Sequence, residues 1–145
     1  MTAIFTVPGD PRGKGRPRFR KVGKYVSTYT DKKTADYEER VKAEYRRQCR
    51  GMRFEPDTEL KMSIKAFYAI PKSATKGMKS AMEFHYKRPT KTPDADNIAK
   101  AIADALNKLC YHDDSQIVDC HISKFYSHQP CVEVEISHAG KRKEQ

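Results

Sequence analysis

Residues 93–119, PDADNIAKAIADALNKLCYHDDSQIVD, constrain this chain more than any other stretch, because they join an amphipathic helix to acidic residues on both of its flanks. With a helix over 94–109, Ile98, Ala101, Ile102, Ala105, Leu106 and Leu109 share one apolar face, the spacing of a helix packed on a core. Asp96, Lys100, Asp104 and Asn107 line up on the opposite face, each within reach of the next. Pro93 suits a helix entry and Asp94 an N-cap, so two carboxylates already stand close at the mouth of the helix.

Beyond the helix, Cys110, Tyr111 and His112 turn the chain, and Asp113 and Asp114 precede a segment that reads as a strand. That strand returns Asp113 or Asp114 to the helix mouth only if it crosses near that end. Carboxylate oxygens with few thiolates or imidazoles around them are hard ligands and select Mg²⁺ or Mn²⁺ over Zn²⁺. Magnesium usually takes one or two carboxylates and keeps its other positions for water and phosphate, which suits phosphodiester hydrolysis. The plainer reading of each aspartate is also open: an N-cap, a partner of the helix dipole and a polar turn.

Charge narrows the partner. The 145 residues hold 29 Lys and Arg against 19 Asp and Glu, a formal net charge of +10, which points to a polyanion. An apolar stretch of membrane-spanning length is missing, and so is a basic helix with an opposing aromatic or leucine face, which favours nucleic acid over a membrane. The start of the sequence lacks a basic-then-apolar leader, so a cytoplasmic protein is expected. Cys49, Cys110, Cys120 and Cys131 have no CxxC spacing, which argues against zinc and for free, mostly buried thiols. The length predicts one domain, 1–145.

Taken in order, residues 3–7 predict a first strand ended by Pro8 and Gly9. The following GDPRGKGRPRFRKVGKY carries Lys14, Arg16, Arg18, Arg20 and Lys21 among glycines and prolines, a pattern expected of a loop that lies on phosphates. It lacks the strand-to-helix setting of a nucleotide-binding glycine loop. Residues 18–28 predict a hairpin around Gly23, and residues 32–50 a charged helix with a thin stripe through Ala35, Glu38, Val41 or Lys42, Tyr45 and Cys49, stopped at Gly51. Residues 59–70 alternate as a half-buried strand. Residues 72–84 are weakly helical, and Lys76, Lys87, Arg88 and Lys91 make a second basic stretch. There Phe84, His85 and Tyr86 are candidates for base stacking, with at least one of them expected to pack on the core. Residues 116–126 and 131–137 are expected to close the fold as a hairpin, and the end, 138–145, to fray.

Taken together, DPRGKGRPRF, PDADNIAKAIADALN, DDSQIVD and a lysine on the strand that follows resemble the RusA-type Holliday junction resolvases, a bacterial family often carried by prophages. The resemblance covers most of the chain. It implies a single α+β domain with a mixed, largely antiparallel sheet and two main helices. It implies a Mg²⁺-dependent endonuclease, with Mn²⁺ as a substitute, that acts as a homodimer and cuts two opposed strands of a four-way junction. Matched position by position, Asp94, Asp96 and Asp114 fall on the catalytic, metal-holding aspartates and Lys100 on the functional lysine. Asp113 is the acidic neighbour, and Lys124 falls on the strand lysine. Where some members have an arginine-rich run before the first aspartate, this chain has Arg88-Pro-Thr-Lys-Thr-Pro93. Two other readings remain beside this one: a non-catalytic nucleic-acid-binding module, and a metal-dependent nuclease acting on other DNA.

Overall fold

The structure is a computed structural model and describes residues 1–140. Among the described residues the chain forms β1 (Thr2–Pro8), β2 (Arg18–Val22), β3 (Tyr25–Tyr29), α1 (Lys32–Cys49), β4 (Leu60–Ala69), α2 (Lys76–Glu83), α3 (Ala95–Leu106), a short 3₁₀ turn at Asp114–Gln116, β5 (Ile117–Ser127) and β6 (Cys131–His138). This is the predicted α+β order. β2 and β3 pair only with each other, and the remaining strands make a mixed sheet in the order β1-β6-β4-β5.

The sheet owes its arrangement to which strands can be buried. β4 alternates Leu60, Met62, Ile64, Ala66 and Tyr68 inward, and β6 does the same with Val132, Val134 and Ile136, so these two occupy the centre. β5 buries only Tyr126 fully and lies at the edge, parallel to β4. A parallel neighbour needs a long crossover, and residues 70–116, with α2 and α3, provide it. The expected closing hairpin of the last two strands is therefore not formed, because β4 lies between β5 and β6. The short loop 128–130 that separates them crosses the end of β4, about 10 Å for two strand spacings, a reach that so few residues have when extended.

Helices α1 and α3 cover one face of the sheet and leave Ile4, Lys65, Glu133 and Glu135 exposed on the other. In α1 the buried residues are Thr34, Tyr37, Val41, Tyr45 and Cys49, which corrects the expected Ala35 and Glu38 at the start of the stripe. Thr34 turns inward because its Oγ1 accepts the Gly15 amide at 3.0 Å, and Glu38 turns sideways to meet a lysine. α1 ends where Arg50 and Gly51 both adopt positive φ, 52° and 74°. Helix α3 stops at Leu106, three residues short of the predicted end, since Asn107 is extended and Lys108 has φ 67°. Leu109 still packs against the core, from the turn and not from the helix.

Other expectations are corrected. Phe84, His85 and Tyr86 are all exposed, because His85 at φ 64° turns the chain outward after α2. Cys49 and Cys110 are buried, Cys131 is half-buried and Cys120 is exposed. Of the segment expected to fray, His138 ends β6 opposite Leu60 and the Ala139 amide donates to Glu59 O at 2.9 Å, while residues 141–145 lie outside the described residues. None of the described helices is long and apolar enough to cross a membrane.

The glycines of the N-terminal basic loop serve packing. A Cβ on Gly13 would stand 3.0 Å from Asn97 Cβ and 3.1 Å from Pro93 Cβ, and one on Gly15 would stand 2.6 Å from Thr34 Oγ1. The loop thus lies against both α3 and α1, and between these contacts the Lys14 amide donates to Asn97 O at 3.0 Å. The Lys14 ammonium is held 2.6 Å from Glu38 Oε1 and 3.1 Å from Asp104 Oδ2. Burial works against its charge, but the hydrogen bonds and charges of Glu38 and Asp104 outweigh it and leave its pKa raised.

Substitutions at two positions test this packing by chemical denaturation. Ile102, fully buried on α3, is expected to cost about 2–5 kcal/mol as Ile102→Ala and about 0.5–1.5 kcal/mol as Ile102→Val. Lys14→Met leaves two partly buried carboxylates without their cation and is expected to cost about 1–3 kcal/mol. It should also speed amide exchange at Lys14 and Gly15, and unchanged exchange would show that the ion pairs do not hold the loop.

Candidate active site

Asp94 and Asp96 open α3 as foreseen. Asp94 takes the N-cap position with extended backbone (φ −70°, ψ 151°), its side chain makes no capping hydrogen bond, and Asp96 lies in the first turn. Both are exposed, as is Lys100 one turn further along. The peptide bond before Pro93 is cis. Beneath this mouth, Tyr68 of β4 donates its hydroxyl to Pro93 O at 2.6 Å. Burial, then the charges of Asp94 and Tyr126, push the Tyr68 phenol up to about 12, so it remains a donor at neutral pH. A shallow depression of about 300 Å³, lined in part by Asp10, Tyr68, Lys91 and Pro93, lies beside it. A larger cavity of about 450 Å³ lies elsewhere, near Phe67, Pro130 and Glu133, and none of the candidate carboxylates lines it.

β5 decides what returns to this mouth. It starts beyond the C-terminal end of α3 and runs back toward the N-terminal end, where Lys124 donates to Lys91 O at 2.6 Å and lies 5.0 Å from the centroid of the Tyr68 ring. The chain therefore brings Lys124, not Asp113 or Asp114, to the strap that leads into Asp94. The acidic turn stays at the far end. There the Asp114 amide donates to Asn107 Oδ1 at 3.2 Å, and Tyr111 donates its hydroxyl to Ala103 O at 2.7 Å. Gln116 locks the turn: its Oε1 accepts the His112 and Asp113 amides at 2.9 and 3.1 Å, and its Nε2 donates to Glu55 O at 3.0 Å and Thr58 O at 3.2 Å.

Among the described residues, the aspartates of α3 and of the turn after it therefore fall into two groups. Asp94 and Asp96 form one, and Asp104, Asp113 and Asp114 the other. Asp96 and Asp104 are eight residues apart on one helix, about 12 Å along its axis. Among the described residues, no three acidic, His or Cys side chains converge as ligands of one ion. The Asp114 carboxyl is pushed above the usual range by burial and by the charges of Asp113 and Asp104. Asp113, in contrast, is held below it, chiefly by the hydrogen bond from Ser115 at 2.5 Å. Asp104, Asn107, Gln116 and Tyr68 are the residues that sequence reasoning missed as parts of the two ends. Asp104 and Asn107 were visible on the polar face of the helix, whereas nothing in a strand pattern singles out Tyr68.

The basic candidates divide by environment. Arg16, Arg18, Arg20 and Lys21 are exposed on or before the β2–β3 hairpin, and Lys76 is exposed at the start of α2. Lys14 is taken up by its two carboxylates. Lys87, Arg88 and Lys91 are exposed on the strap that leads to Asp94. Arg88 is braced there, its Nε donating to Lys124 O at 2.9 Å and its guanidinium 4.4 Å from the Phe125 ring centroid.

Comparison with known proteins agrees with this arrangement of motifs. The family model described as endodeoxyribonuclease RusA matches residues 8–137. The chain is 38% identical over 138 residues to an uncharacterised protein of Bacillus subtilis (strain 168), YqaN, covering 91% of this chain and 93% of the relative. It is 29% identical over 134 residues to a protein of Lactococcus phage r1t named crossover junction endodeoxyribonuclease, covering 92% of this chain and 94% of the relative. With a match that runs from the last residue of β1 into β6, the chain belongs to the RusA endodeoxyribonuclease family.

Proposed function

We propose that this endodeoxyribonuclease resolves four-way DNA junctions, that a divalent cation, Mg²⁺ or Mn²⁺, serves it, and that it works as a homodimer making paired symmetric nicks. The observation that carries the reading is the exposed Asp94 and Asp96 pair at the start of α3, with Lys100 on the same helix and Lys124 at the same mouth. The name of the phage relative supports the crossover substrate.

The donor set fits a hard cation. Asp94 and Asp96 offer exposed carboxylate oxygens, and magnesium needs only one or two of these beside water and phosphate. When bound there, the ion would supply an activated water and a polarised scissile phosphate. The residues of the chain do the rest. Asp94 and Asp96 would hold the ion, and Lys100, which forms no ion pair among the described residues, faces solvent where it would neutralise charge on the phosphate. Lys124 and Tyr68 fix the strap before Asp94 and keep the mouth open. The positive end of α3 adds to the attraction for an anionic strand.

Asp114 joins this pair from outside the chain. Bringing it to Asp94 within one chain would undo the bonds of Asn107 and Gln116 that hold the acidic turn, so a second copy is its source in the dimer. A four-way junction has near two-fold symmetry, and a symmetric dimer presents equivalent sites to opposed strands.

Cleavage of an end-labelled four-way junction, beside a linear duplex of the same sequence, tests the whole reading. With Mg²⁺, paired symmetric nicks are expected in the junction alone, and EDTA should abolish them. Asp94→Asn and Asp96→Asn should each reduce the rate by at least about a hundredfold while leaving junction affinity within a few fold of wild type. A folded wild type that binds junctions and cuts nothing with any divalent metal would be a binding module instead. Equal cutting of linear duplex would remove the junction preference.

A further inference from the structure

The β2–β3 hairpin is built regularly yet buries no side chain, and among the described residues its ion pair to the rest of the chain runs from Arg18 Nε to Asp31 Oδ1 at 3.3 Å. Every residue in both strands is exposed, including Phe19 at 72%, Tyr25 at 81% and Val26 at 66%. A two-stranded hairpin is marginal in water by itself, and large exposed side chains gathered on one element mark a surface that meets a partner. Its chemistry says which. Residues 11–30 hold seven Lys and Arg and no Asp or Glu. A second copy of the same ribbon would meet it with like charge, whereas a polyanion would not.

The ladder sorts the side chains. Arg18 is opposite Tyr29, Arg20 opposite Ser27 and Val22 opposite Tyr25, so Arg18, Arg20, Tyr25 and Tyr29 share one face, while Phe19, Lys21 and Val26 share the other. On the first face the Arg20 guanidinium lies 5.0 Å from the Tyr29 ring centroid, a cation–π pair formed before any partner arrives. The tight turn comes from Gly23 at φ 60° followed by Lys24, which holds the ribbon to its full length. Its root is fixed by the contacts of Gly13 with Pro93 and Asn97 and of Gly15 with Thr34. The ribbon therefore rises from the same place at which α3 presents Asp94 and Asp96.

We propose that the hairpin inserts into the major groove of a duplex arm next to the branch, with Arg18, Arg20, Tyr25 and Tyr29 toward the bases and backbone. This rests on the branched-DNA reading above and extends it from phosphate contact to occupancy of a groove. A major groove about 12 Å wide admits a two-stranded ribbon, while a minor groove about 6 Å wide does not. Arginine on such a ribbon matches the O6 and N7 acceptors of guanine, and a tyrosine ring matches the methyl group of thymine.

Dimethyl sulfate methylation of guanine N7 on a bound junction, without divalent metal, tests the arm. The wild type is expected to protect guanines in one arm. A chain in which residues 20–27 are replaced by Gly-Gly should lose that protection, and Arg18→Ala with Arg20→Ala should lose it together with at least about tenfold in affinity. Within the chain the double variant gives up only the Arg18–Asp31 ion pair and the Arg20–Tyr29 contact and changes no buried residue, so it decides the matter even if the shortened chain folds poorly. Protection and affinity equal to wild type in the double variant would overturn the proposal. So would a dimer that sediments as a monomer once the hairpin is shortened while the double variant still protects N7, which would make the ribbon a protein interface. Nicking assayed in parallel separates the two readings. Wild type that protects N7 and never nicks keeps the arm without the nuclease reading; nicking with unprotected N7 does the reverse.

Discussion

Ile98, Ile102, Ala105 and Leu106 seal one face of α3 against the sheet, and once they are placed the helix has no rotational freedom left. Burying each large aliphatic side chain is worth roughly 1.5–3 kcal/mol, against about 0–1 kcal/mol for an exposed ion pair. The apolar face therefore decides the orientation, and the polar face follows. Asp96 and Lys100 look outward because the other side is spoken for. The acidic mouth is a by-product of core packing, which is why it needs no capping bond to stand open.

Electrostatics then ties the basic loop to that helix. A chain with a net charge of +10 has every reason to splay a segment as basic as residues 11–30, and glycine content alone would let it. Lys14 opposes this by meeting Glu38 of α1 and Asp104 of α3 at once. Since its pKa is raised above the ordinary 10.5, that contribution is complete at neutral pH and is lost only as pH climbs past 10.5 through the folded value. One lysine of the basic loop is thereby withdrawn from DNA and used to hold the remaining ones in place.

Much of this was legible in the chain because period-2 and period-3.6 patterns report burial directly. The inward residues of β4 and the buried face of α3 up to Leu106 come straight from spacing. What was not legible is what depends on partners distant in sequence. A three-residue link between two strands looks the same whether they pair or straddle a third, so the place of β6 between β1 and β4 was lost. Thr34 was left out of the expected stripe of α1 because its burial depends on the Gly15 amide, 19 residues away. The glycines of the basic loop suggested approach to phosphate, yet it is Pro93, Asn97 and Thr34 that they approach. In the site, Asp94, Asp96 and Lys100 stood where helical spacing put them, whereas the position of Asp114 hung on the direction of β5.

That direction has a further consequence. Because β5 pairs in parallel with β4, it must begin at the end of the sheet where β4 begins, and the acidic turn before it is fixed there through the bonds of Gln116 to Glu55 and Thr58. Of the two neighbouring acids, Asp113 is satisfied locally by Ser115, while the Asp114 carboxyl meets those of Asp113 and Asp104 and its amide donates to Asn107. Asp113 thus belongs to the architecture of the turn, and Asp114 is a carboxylate that forms no ion pair among the described residues. One helix therefore separates an open carboxylate pair at its start from a carboxylate in want of a cation at its end. In a symmetric assembly, joining such unlike ends across the two-fold axis creates two equivalent sites at once, so the same contact that completes one would complete the other.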